Sequence, residues 1–580
     1  MDCQDKCMSY LSLKELLLIS DTMCRLVSGM LGPTGNQTLL STATGKAIAS
    51  RDGLKVLSAV YVNHPVAKCI LSTMKNYHIL TGDGSKSFLI YLQAILKAVE
   101  KLASTSETYI CKRYSESPYF RISLSQKLHY FLLEEFPFFS SVMLEKCTLV
   151  CTEMADFCST IRIIVTTVLN TTLPGYATDL LTEMLCSFFD VERFFTWDQD
   201  QIDKCLSQVL GFLDSYHVKI SGYPYEKSEI YFGVLLEQEF VVPLPDLRST
   251  EKNLHVIMIS CQIEDDSCDT VSPTHKLMEK CFLQKRTKIL RFVEALKAAG
   301  IDVILLSECC PVYFQGICHD HLLSVVQNVD KDKVSLIQHL TGAVPLHDLR
   351  EEFMNNGTFI ADVCKRMKIG RKSFILVKPS KIEEPCGLAK QMILCAPTNS
   401  MCDQACDSLK KAILSLRMCL CFQRYISSSL TACKPSSKAL TVNKSGKDTV
   451  RIICAVGPGG CFEALLWSVI QQHKSGEKSL CREMNLILRE MLLSVPQRLC
   501  TNNSPSYFQG QHDFLRKWSA MVQGASTGLA LGFNCSADII DMSMAGILEP
   551  LPSKLLLVSC VIQLVQQLLR LDAVVGVKKH

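Results

Sequence analysis

The sequence lacks the segments that route a chain to secretion or into a membrane. Residues 1–6 contain no cationic region that leads into an apolar run and a cleavage site. The most apolar late stretch, residues 555–569, is interrupted by Gln563, Gln566 and Gln567 and is shorter than the ~20 residues that a spanning helix needs. We therefore expect no transmembrane segment, a buried helix at residues 555–569, and a cytoplasmic protein.

A strong charge of one sign is missing too. The 580 residues carry a formal net charge of only +4, and no basic run is interleaved with aromatic residues. The chain therefore lacks the basic surface pattern that is typical of a nucleic-acid-binding protein, and we do not expect it to bind nucleic acid. Thirty cysteines would predict disulfides in a secreted protein. Because no secretion signal is present, we expect reduced thiols that pack as small apolar side chains.

Several well-known site motifs are also absent. The P-loop spacing Gly-x4-Gly-Lys-Ser/Thr does not occur at the glycine-rich residues 81–87, and there is no nucleophile elbow. One group of cysteines and histidines could be read as a metal cluster. It lacks a Cys-x2-Cys pair that faces a second such pair, so ordinary helix side chains are the favoured interpretation. The group comprises Cys309, Cys310, Cys318, His319 and His321.

What is present is the composition of a large globular protein, with 48% hydrophobic and 20% charged residues. The length accommodates three or four domains of ~100–200 residues. Helical spacing marks residues 16–30 and most of residues 95–215, and helix returns from residue 403, apart from a polar insertion at about residues 434–447. In the middle, strand-like runs alternate with a helix over residues 285–300, which predicts a mixed α/β fold that is mainly helical. The predicted strands are residues 230–236, 256–259, 303–306, 375–377 and 392–394.

Residues 81–87, Thr-Gly-Asp-Gly-Ser-Lys-Ser, stand immediately before an apolar run that begins at Phe88. Small residues let a backbone approach a ligand, and the start of a helix presents unpaired N–H groups that favour anions. Asp83 inside this loop could accept a phosphate only through a shared divalent cation. Taken alone, an ordinary turn is the favoured interpretation, because Gly and Asp mark turns. Two further glycine-bearing loops, at residues 32–35 and 50–53, lie within about fifty residues of it, and the three loops together are a more specific arrangement than any one of them.

The order of these loops resembles that of the type II chaperonins, the family of the eukaryotic ring complex that folds actin and tubulin. Residues 31–35 (Leu-Gly-Pro-Thr-Gly) resemble the first phosphate loop of the family, and residues 82–87 (Gly-Asp-Gly-Ser-Lys-Ser) resemble its Gly-Asp-Gly-Thr-Thr-Ser loop. Further motifs follow in the family's order along nearly the whole chain. They are residues 50–53 (Ser-Arg-Asp-Gly), 64–68 (His-Pro-Val-Ala-Lys), 297–303, 340–345, 459–463 (Gly-Gly-Cys-Phe-Glu), 546–550 (Gly-Ile-Leu-Glu-Pro) and 569–575.

The resemblance implies a chaperonin subunit of three domains. An equatorial domain would comprise residues 1–115 and 413–580, an intermediate domain residues 116–215 and 346–412, and an apical α/β domain residues 216–345. The resemblance also implies that ATP and Mg²⁺ bind at the loops, with Asp83 as the metal ligand and Asp52 beside the γ-phosphate. The nucleotide-binding residues implied in this way are Gly32, Pro33, Thr34, Gly35, Asp52, Gly53, Gly82, Asp83, Gly84, Ser85, Lys86, Ser87, Gly459, Gly460 and Glu549.

Three departures from the family pattern bear on activity. The family uses an aspartate to position the attacking water, and a gap-free alignment places Lys411 there. A lysine cannot supply general-base help at neutral pH. Asp407 lies one helical turn earlier, so a four-residue slip would restore an acid. Lys86 replaces a threonine of the loop, and Pro458 replaces a glycine and removes an N–H. We expect ATP binding with little hydrolysis and assign no catalytic residue, although Asp52 is retained.

Within the family, residues 50–53, 64–65, 81–84 and 572–580 most resemble the Bardet-Biedl syndrome chaperonin-like proteins. This resemblance implies an assembly factor for the BBSome, a ciliary cargo coat, acting at the centrosome or the base of the cilium. Its partners would be other Bardet-Biedl chaperonin-like proteins and ring-forming type II chaperonin subunits, with BBSome subunits as clients. Two alternatives stay open: an ATP-hydrolysing subunit of a folding ring, which requires Asp407 to position water, and a scaffold that binds no nucleotide.

Overall fold

The computed structural model describes residues 8–41, 47–106, 118–243, 253–263, 275–348, 357–382, 388–422, 451–474, 480–504 and 507–575. The chain divides into two compact units. The first comprises Met1–Thr182, Glu192–Ile202 and Asp407–His580, and the second comprises Glu183–Val191 and Asp203–Cys406. The predicted polar insertion at residues 434–447 lies outside the described residues. The division into equatorial, intermediate and apical domains is not tested by these two units and stays a prediction.

Helices dominate the first unit. The first of them is capped by Ser12, whose side-chain oxygen accepts the N–H of Glu15 at 3.2 Å, and it matches the helix predicted for residues 16–30. The α-helices of the described residues are α1 (Leu13–Ser28), α2 (Gly53–Ala59), α3 (Pro65–Thr81), α4 (Ser85–Ser106), α5 (Pro118–Tyr130), α6 (Phe136–Lys146), α7 (Met154–Leu169), α8 (Gly175–Phe189), α9 (Val191–Phe194), α10 (Gln199–Gly211), α11 (Leu213–Tyr216), α12 (His275–Ala298), α13 (Val312–Asp320), α14 (Lys331–Thr341), α15 (Asn399–Leu420), α16 (Cys461–Lys474), α17 (Arg482–Asn503), α18 (Tyr507–Ser526) and α19 (Leu551–Leu569), with a π-helical turn at Phe131–Glu135 and a 3-10 turn at Tyr225–Lys227.

The strands form several small sheets and one large one. They are β1 (Met8–Tyr10), β2 (Thr38–Ser41), β3 (Ala47–Ser50), β4 (Thr148–Cys151), β5 (His217–Ser221), β6 (Glu229–Phe232), β7 (Val234–Leu236), β8 (Phe240–Val242), β9 (Leu254–Ile259), β10 (Val303–Leu306), β11 (Ser324–Val326), β12 (Thr358–Ile369), β13 (Lys372–Pro379), β14 (Lys390–Ala396), β15 (Arg451–Val456), β16 (Leu531–Phe533), β17 (Ile539–Asp541), β18 (Glu549–Pro550) and β19 (Ala573–Val575).

Helix α4 lies at the centre of the core of the first unit. Its residues 88–92, Phe-Leu-Ile-Tyr-Leu, are each 3% exposed or less. A helix that is apolar on all sides must be enclosed by other elements, and α4 packs against α1, α17 and α19. The sequence predicts this helix from Phe88, whereas it begins three residues earlier, at Ser85.

Helix α19 is, within the described residues, the one helix long and apolar enough to cross a membrane. Twelve of its residues are buried, and they pack in the same core as the apolar residues of α4 and α5. It is therefore the buried helix that the sequence predicts for residues 555–569.

The two ends of the first unit are held together. Strands β1 and β19 pair in an antiparallel manner. The buried guanidinium of Arg121 on α5 lies beside them, and it donates from Nη1 to the carbonyl of Leu11 at 2.8 Å. Its Nη2 donates to the carbonyls of Leu571 at 2.5 Å and Leu568 at 3.3 Å. One cation thus satisfies carbonyl oxygens from both ends of the described chain.

The second unit is built on a seven-stranded sheet in the order β7-β13-β12-β9-β10-β11-β8. Strands β9, β10 and β11 are parallel, and helices lie between them in sequence, as in βαβ units. Strand β10 coincides with the prediction for residues 303–306. The run predicted at residues 230–236 breaks at Gly233 into β6 and β7, which belong to different sheets. The expected α/β region in the middle of the chain is present, and the mixed, mainly helical fold class is confirmed.

The cysteine and histidine group at residues 309–321 belongs to this second unit. Cys310 and Cys318 are buried in an apolar cluster with Phe314, and Cys318 and His319 lie on helix α13. Burial raises the pKa of the Cys318 thiol to about 12, so this thiol stays protonated and is a poor metal ligand. The ordinary structural interpretation accounts for these residues.

We expect Arg121→Met to lower the free energy of unfolding by about 2–4 kcal/mol, because buried carbonyl oxygens lose a charged donor. The shift is measured by urea unfolding followed by circular dichroism. Lys127→Met is the control, since it removes a half-exposed pair with Glu483 and should cost less than about 1 kcal/mol. An Arg121→Met protein as stable as the wild type would show that this cation does not hold the two ends.

Candidate functional site

Asp52 lies at the start of helix α2, where its side chain caps the helix. Its Oδ1 accepts the N–H groups of Leu54 at 2.9 Å and Lys55 at 3.3 Å, two donors that a helix start leaves unpaired. The sequence predicts a hairpin-like layout, punctuated by Thr44-Gly45 and by residues 50–53, with Asp52-Gly53 as turn chemistry. The hairpin is present as β2 and β3, but Asp52 follows it and caps a helix, so the turn assignment is wrong. One carboxylate oxygen is thereby fixed by the backbone.

The loop of Gly82, Asp83 and Gly84 joins helix α3 to helix α4. Gly82 ends α3 in a left-handed conformation, with φ of +79°, which glycine adopts at little cost. The hydroxyl oxygen of Thr81 lies 2.9 Å from the carbonyl oxygen of Asp83 and helps to fix the loop. The Asp83 side chain remains accessible to solvent. The loop therefore presents a carboxylate beside the first N–H groups of α4, as the phosphate-site hypothesis requires.

Close backbone approach brings the two loops and helix α15 together. A Cβ on Gly53 would lie 2.9 Å from Ser85 Oγ and 3.0 Å from Lys86 Cγ. A Cβ on Gly82 would lie 3.2 Å from the Cα of Lys411. We call the assembly of residues 52–53, 82–87 and Lys411 the cradle.

The centre of the cradle is an ion pair between Lys411 and Asp52. Nζ of Lys411 lies 2.6 Å from Oδ2 of Asp52, and the two side chains are 13% and 11% exposed. Burial alone would raise the pKa of Asp52, but the charge and hydrogen bond of Lys411 bring it down to about 2. Burial also opposes the charge of Lys411, yet Asp83 and Asp52 raise its pKa. Both groups are charged at neutral pH, so Lys411 cannot accept a proton from water.

Asp83 and Lys86 complete the charges of the cradle. Surrounding protein disfavours the ionised form of Asp83, but the charges of Lys411 and Lys86 outweigh this effect and lower its pKa. Burial lowers the pKa of Lys86, and Asp83 is the largest charge that opposes the change. Nζ of Lys86 also donates to the carbonyl of Met30 at 3.2 Å. This bond links the cradle to Met30, which lies just before the loop at residues 32–35.

Asp407 does not take part in the cradle's ion pair. Its carboxylate pairs with Lys55, and these side chains are 42% and 50% exposed. Lys411, one helical turn later on α15, is the residue that contacts Asp52. The structure therefore places a cation, and not the acid that a four-residue slip would supply, beside the retained aspartate.

The first predicted loop, residues 32–35, packs on the end of helix α17. The hydroxyl of Thr34 lies 2.5 Å from Oδ1 of Asn503, and Asn502 donates to the carbonyls of Ser28 and Leu31 at 3.0 Å. Pro33 and Thr34 are exposed, whereas Gly35 is buried against the backbone of Met30. The two asparagines lie in no family motif that the sequence analysis used, so they were missed.

The remaining predicted residues cluster around the start of helix α19. Glu549 pairs with Lys554 at 2.6 Å, and the hydroxyl of Tyr77 donates to the carbonyl of Ser553 at 3.1 Å. A Cβ on Gly84 would lie 2.8 Å from that same hydroxyl. Tyr77 thus joins the cradle to the segment that carries Glu549. Lys554 was missed, although it is the only charged residue in the apolar run of α19, and a lone charge of this kind usually has a partner.

Gly459 and Gly460 precede helix α16 and serve packing in the observed structure. The carbonyl of Gly459 accepts the N–H of Phe533 at 2.8 Å, and that of Gly460 accepts the N–H of Ala464 at 3.0 Å. Nearby, the fully enclosed Glu463 accepts a hydrogen bond from the hydroxyl of Tyr91 at 2.6 Å. Burial raises the pKa of Glu463 despite the opposing charge of Lys554.

The fold and these loops define a chaperonin subunit, and comparison with known families agrees. A sequence model of the TCP-1/cpn60 chaperonin family matches residues 24–118 and 142–426, which is more than half of the chain. The chain belongs to the TCP-1/cpn60 chaperonin family.

Three relatives with low sequence identity show what the chain is similar to. BBSome complex assembly protein BBS10 of Homo sapiens is 22% identical over 436 residues, covering 70% of this chain and 57% of that protein. The same protein of Mus musculus is 23% identical over 454 residues, covering 74% and 61%. A thermosome subunit of Methanothermococcus thermolithotrophicus is 21% identical over 566 residues, covering 95% and 89%. The chain thus spans less than two thirds of the BBS10 proteins that it matches.

A crystal structure of a group III chaperonin in the open state superposes with a TM-score of 0.68, at 14% identity, and covers 97% of this chain and 98% of that one. The predicted type II chaperonin family and fold are confirmed. A particular likeness to the tenth Bardet-Biedl protein is supported only at 22–23% identity, a level that the thermosome nearly equals.

The ion pair predicts a dependence of stability on pH. Asp52 has a pKa of about 2 in the folded chain against 3.8 for the free side chain, so its ionised form stabilises the fold by about 2 kcal/mol. Because the folded pKa is depressed, this stability is present above the unfolded value and is lost as the pH falls towards 2.

We expect Asp52→Asn to lower the free energy of unfolding by about 2 kcal/mol at pH 7, with the difference from wild type about halved at pH 3. Urea unfolding at several pH values measures it. Asp407→Asn, the same chemical change in an exposed pair, should alter stability by less than about 1 kcal/mol at either pH. A difference for Asp52→Asn that is the same at both pH values would contradict this assignment.

Proposed function

We propose that the chain is a chaperonin-like assembly factor that binds ATP at the cradle with little or no hydrolysis and assists assembly of the BBSome. The observation that carries the proposal is the Lys411–Asp52 ion pair at 2.6 Å. The named role rests on the similarity to the BBSome complex assembly proteins BBS10. We propose that the protein acts in the cytoplasm, at the centrosome or at the base of the cilium.

Binding and hydrolysis make different demands on the cradle. Phosphate oxygens accept hydrogen bonds from the first N–H groups of α4 and from the ammonium group of Lys86. Gly82 and Gly84 let the loop pack closely against Lys411 and Tyr77, which positions these N–H groups. Hydrolysis also requires a group that takes a proton from water, a contribution of ~10²–10⁴-fold. Lys411 is protonated and Asp52 is held by it, so neither supplies this group.

A scaffold that binds no nucleotide is the second candidate. The ion pair with Lys411 already neutralises Asp52 within the protein. Such a contact stabilises the fold without any bound nucleotide, as a scaffold requires. An ATP-hydrolysing ring subunit is less well supported, because the acid that it needs, Asp407, pairs with Lys55 at the surface.

The proposed partners follow from the same similarity. They are other Bardet-Biedl chaperonin-like proteins and ring-forming type II chaperonin subunits, with BBSome subunits as the clients. Neither ring formation nor a client surface is part of the proposal.

We expect the purified chain to bind ATP saturably in isothermal titration calorimetry and to release phosphate no faster than an Asp83→Ala protein. Lys86→Ala should weaken ATP binding by at least about tenfold, because a charged donor to phosphate is lost. Lys97→Ala, an exposed lysine on the same helix, is the control and should bind as wild type does. Phosphate release that Asp83→Ala abolishes would indicate the hydrolysing subunit, and an absence of binding would leave the scaffold.

We expect ciliated cells that lack this chain to contain fewer BBSome subunits in particles of full size, because assembly intermediates lose the factor that holds them. Sedimentation of extracts with immunodetection of a BBSome subunit measures this. Re-expression of the wild-type chain should restore the full-size fraction. A normal fraction in cells without the chain would rule out the assembly role while leaving nucleotide binding untouched.

A further inference from the structure

The oxygens of Asp52 are engaged within the protein. Oδ1 accepts two backbone N–H groups, at 2.9 and 3.3 Å, and Oδ2 lies 2.6 Å from Nζ of Lys411. A metal ion at this carboxylate would have to displace the ammonium group of Lys411, whose side chain is only 13% exposed. Asp52 is therefore a poor ligand for a divalent cation in this chain.

Asp83 is the other carboxylate of the cradle, and it is accessible. Its strongest charged neighbours are cations, first Lys411 and then Lys86. A divalent ion bound to Asp83 would lie close to both ammonium groups and would be repelled by them. Mg²⁺ at nucleotide sites is held by one or two carboxylates together with substrate phosphates, and the one accessible carboxylate of the cradle, Asp83, has these two cations as its neighbours.

The cradle sets two lysines beside its two carboxylates. Nζ of Lys411 lies 2.6 Å from Oδ2 of Asp52, and Nζ of Lys86 donates to the carbonyl of Met30 at 3.2 Å. Two carboxylates alone would repel a polyphosphate unless a divalent cation lay between them. An ammonium group carries positive charge and up to three donors, of which Lys411 uses one on Asp52 and Lys86 uses one on the carbonyl of Met30.

We propose that the ammonium groups of Lys411 and Lys86 replace the divalent cation, so that the cradle binds a nucleoside triphosphate in its metal-free form. The inference rests on the proposed nucleotide binding and specifies the form of the ligand. It departs from the sequence-based expectation that Asp83 holds Mg²⁺, because the residues present do not suit that ion.

The test compares ATP binding by the full-length chain in EDTA and in excess Mg²⁺, by isothermal titration calorimetry. We expect the affinity in EDTA to equal or exceed the affinity in Mg²⁺. An affinity that falls by about tenfold or more when Mg²⁺ is removed, a loss of one strong contact, would overturn the proposal while leaving nucleotide binding intact. Binding in neither buffer would overturn the proposed function itself.

Two charge-reversal variants sharpen the test. In Lys411→Asp an acid faces Asp52 and Asp83, so ATP binding should come to depend on Mg²⁺. Lys410→Asp makes the same change at the neighbouring exposed position on α15 and should keep binding in EDTA. Thermal unfolding shows whether each variant is folded. Should Lys411→Asp not fold, Lys411→Met serves instead, because it removes the ammonium group and should weaken binding in EDTA by at least about tenfold.

Mn²⁺ provides a readout that does not depend on affinity for the nucleotide. Electron paramagnetic resonance distinguishes free Mn²⁺–ATP from Mn²⁺ held by protein. We expect the wild-type chain with ATP to add no protein-bound Mn²⁺ signal, and Lys411→Asp to add one. A protein-bound signal in the wild type that Asp83→Ala removes would overturn the metal-free assignment.

Discussion

The buried ion pair between Lys411 and Asp52 is the contact on which the geometry of the candidate site depends. Two charges leave water at a high cost, and they are stable in a protein interior only when each satisfies the other. Asp52 is fixed by N–H groups at the start of α2, and Lys411 projects from α15, so the pair joins these two helices. Removal of one partner would leave an uncompensated buried charge, which destabilises the fold. The same helix contacts Gly82, so the loop that carries Asp83 is positioned by the helix that the pair holds.

This arrangement separates two properties that an ATPase site combines. A phosphate-binding loop needs backbone N–H groups, small residues and a favourable charge, and the cradle has all three. Hydrolysis adds one more requirement, a group that can take a proton from water. In this chain a protonated lysine stands beside the aspartate, and its pKa is raised by the two carboxylates around it. The cradle therefore has groups that favour a bound phosphate, and it has a cation beside Asp52 where hydrolysis would need a base, which is consistent with the function proposed above.

Much of the fold could be predicted from the sequence because the strongest patterns are local. Four consecutive apolar residues at 303–306 form β10, and the apolar run from Phe88 lies inside α4. Strand β12 was missed because adjacent charged residues, Lys365 and Arg366, interrupt its apolar pattern, and its pairing with β9 and β13 defines it. Asp52-Gly53 was read as turn chemistry because the same residues favour turns and helix N-caps. The partners of the site were missed for a related reason. Asn503 contacts Thr34, which is far away in the sequence. Lys554 contacts Glu549 but lies outside the motif that contains it.

The choice between Lys411 and Asp407 shows what only the tertiary structure can decide. The two residues are four apart on α15, so they share a helix face and the sequence alone leaves both registers open. The structure separates them by depth, since the side chain of Lys411 is 13% exposed and that of Asp407 is 42% exposed. To bring Asp407 to Asp52, α15 would have to slide by ~6 Å, at 1.5 Å per residue. Such a slide would pull the buried Ile413 and Leu416 out of their packing sites. The core beneath α15 thus fixes the position of Lys411 beside Asp52. Asp407, on the preceding turn, cannot take that position.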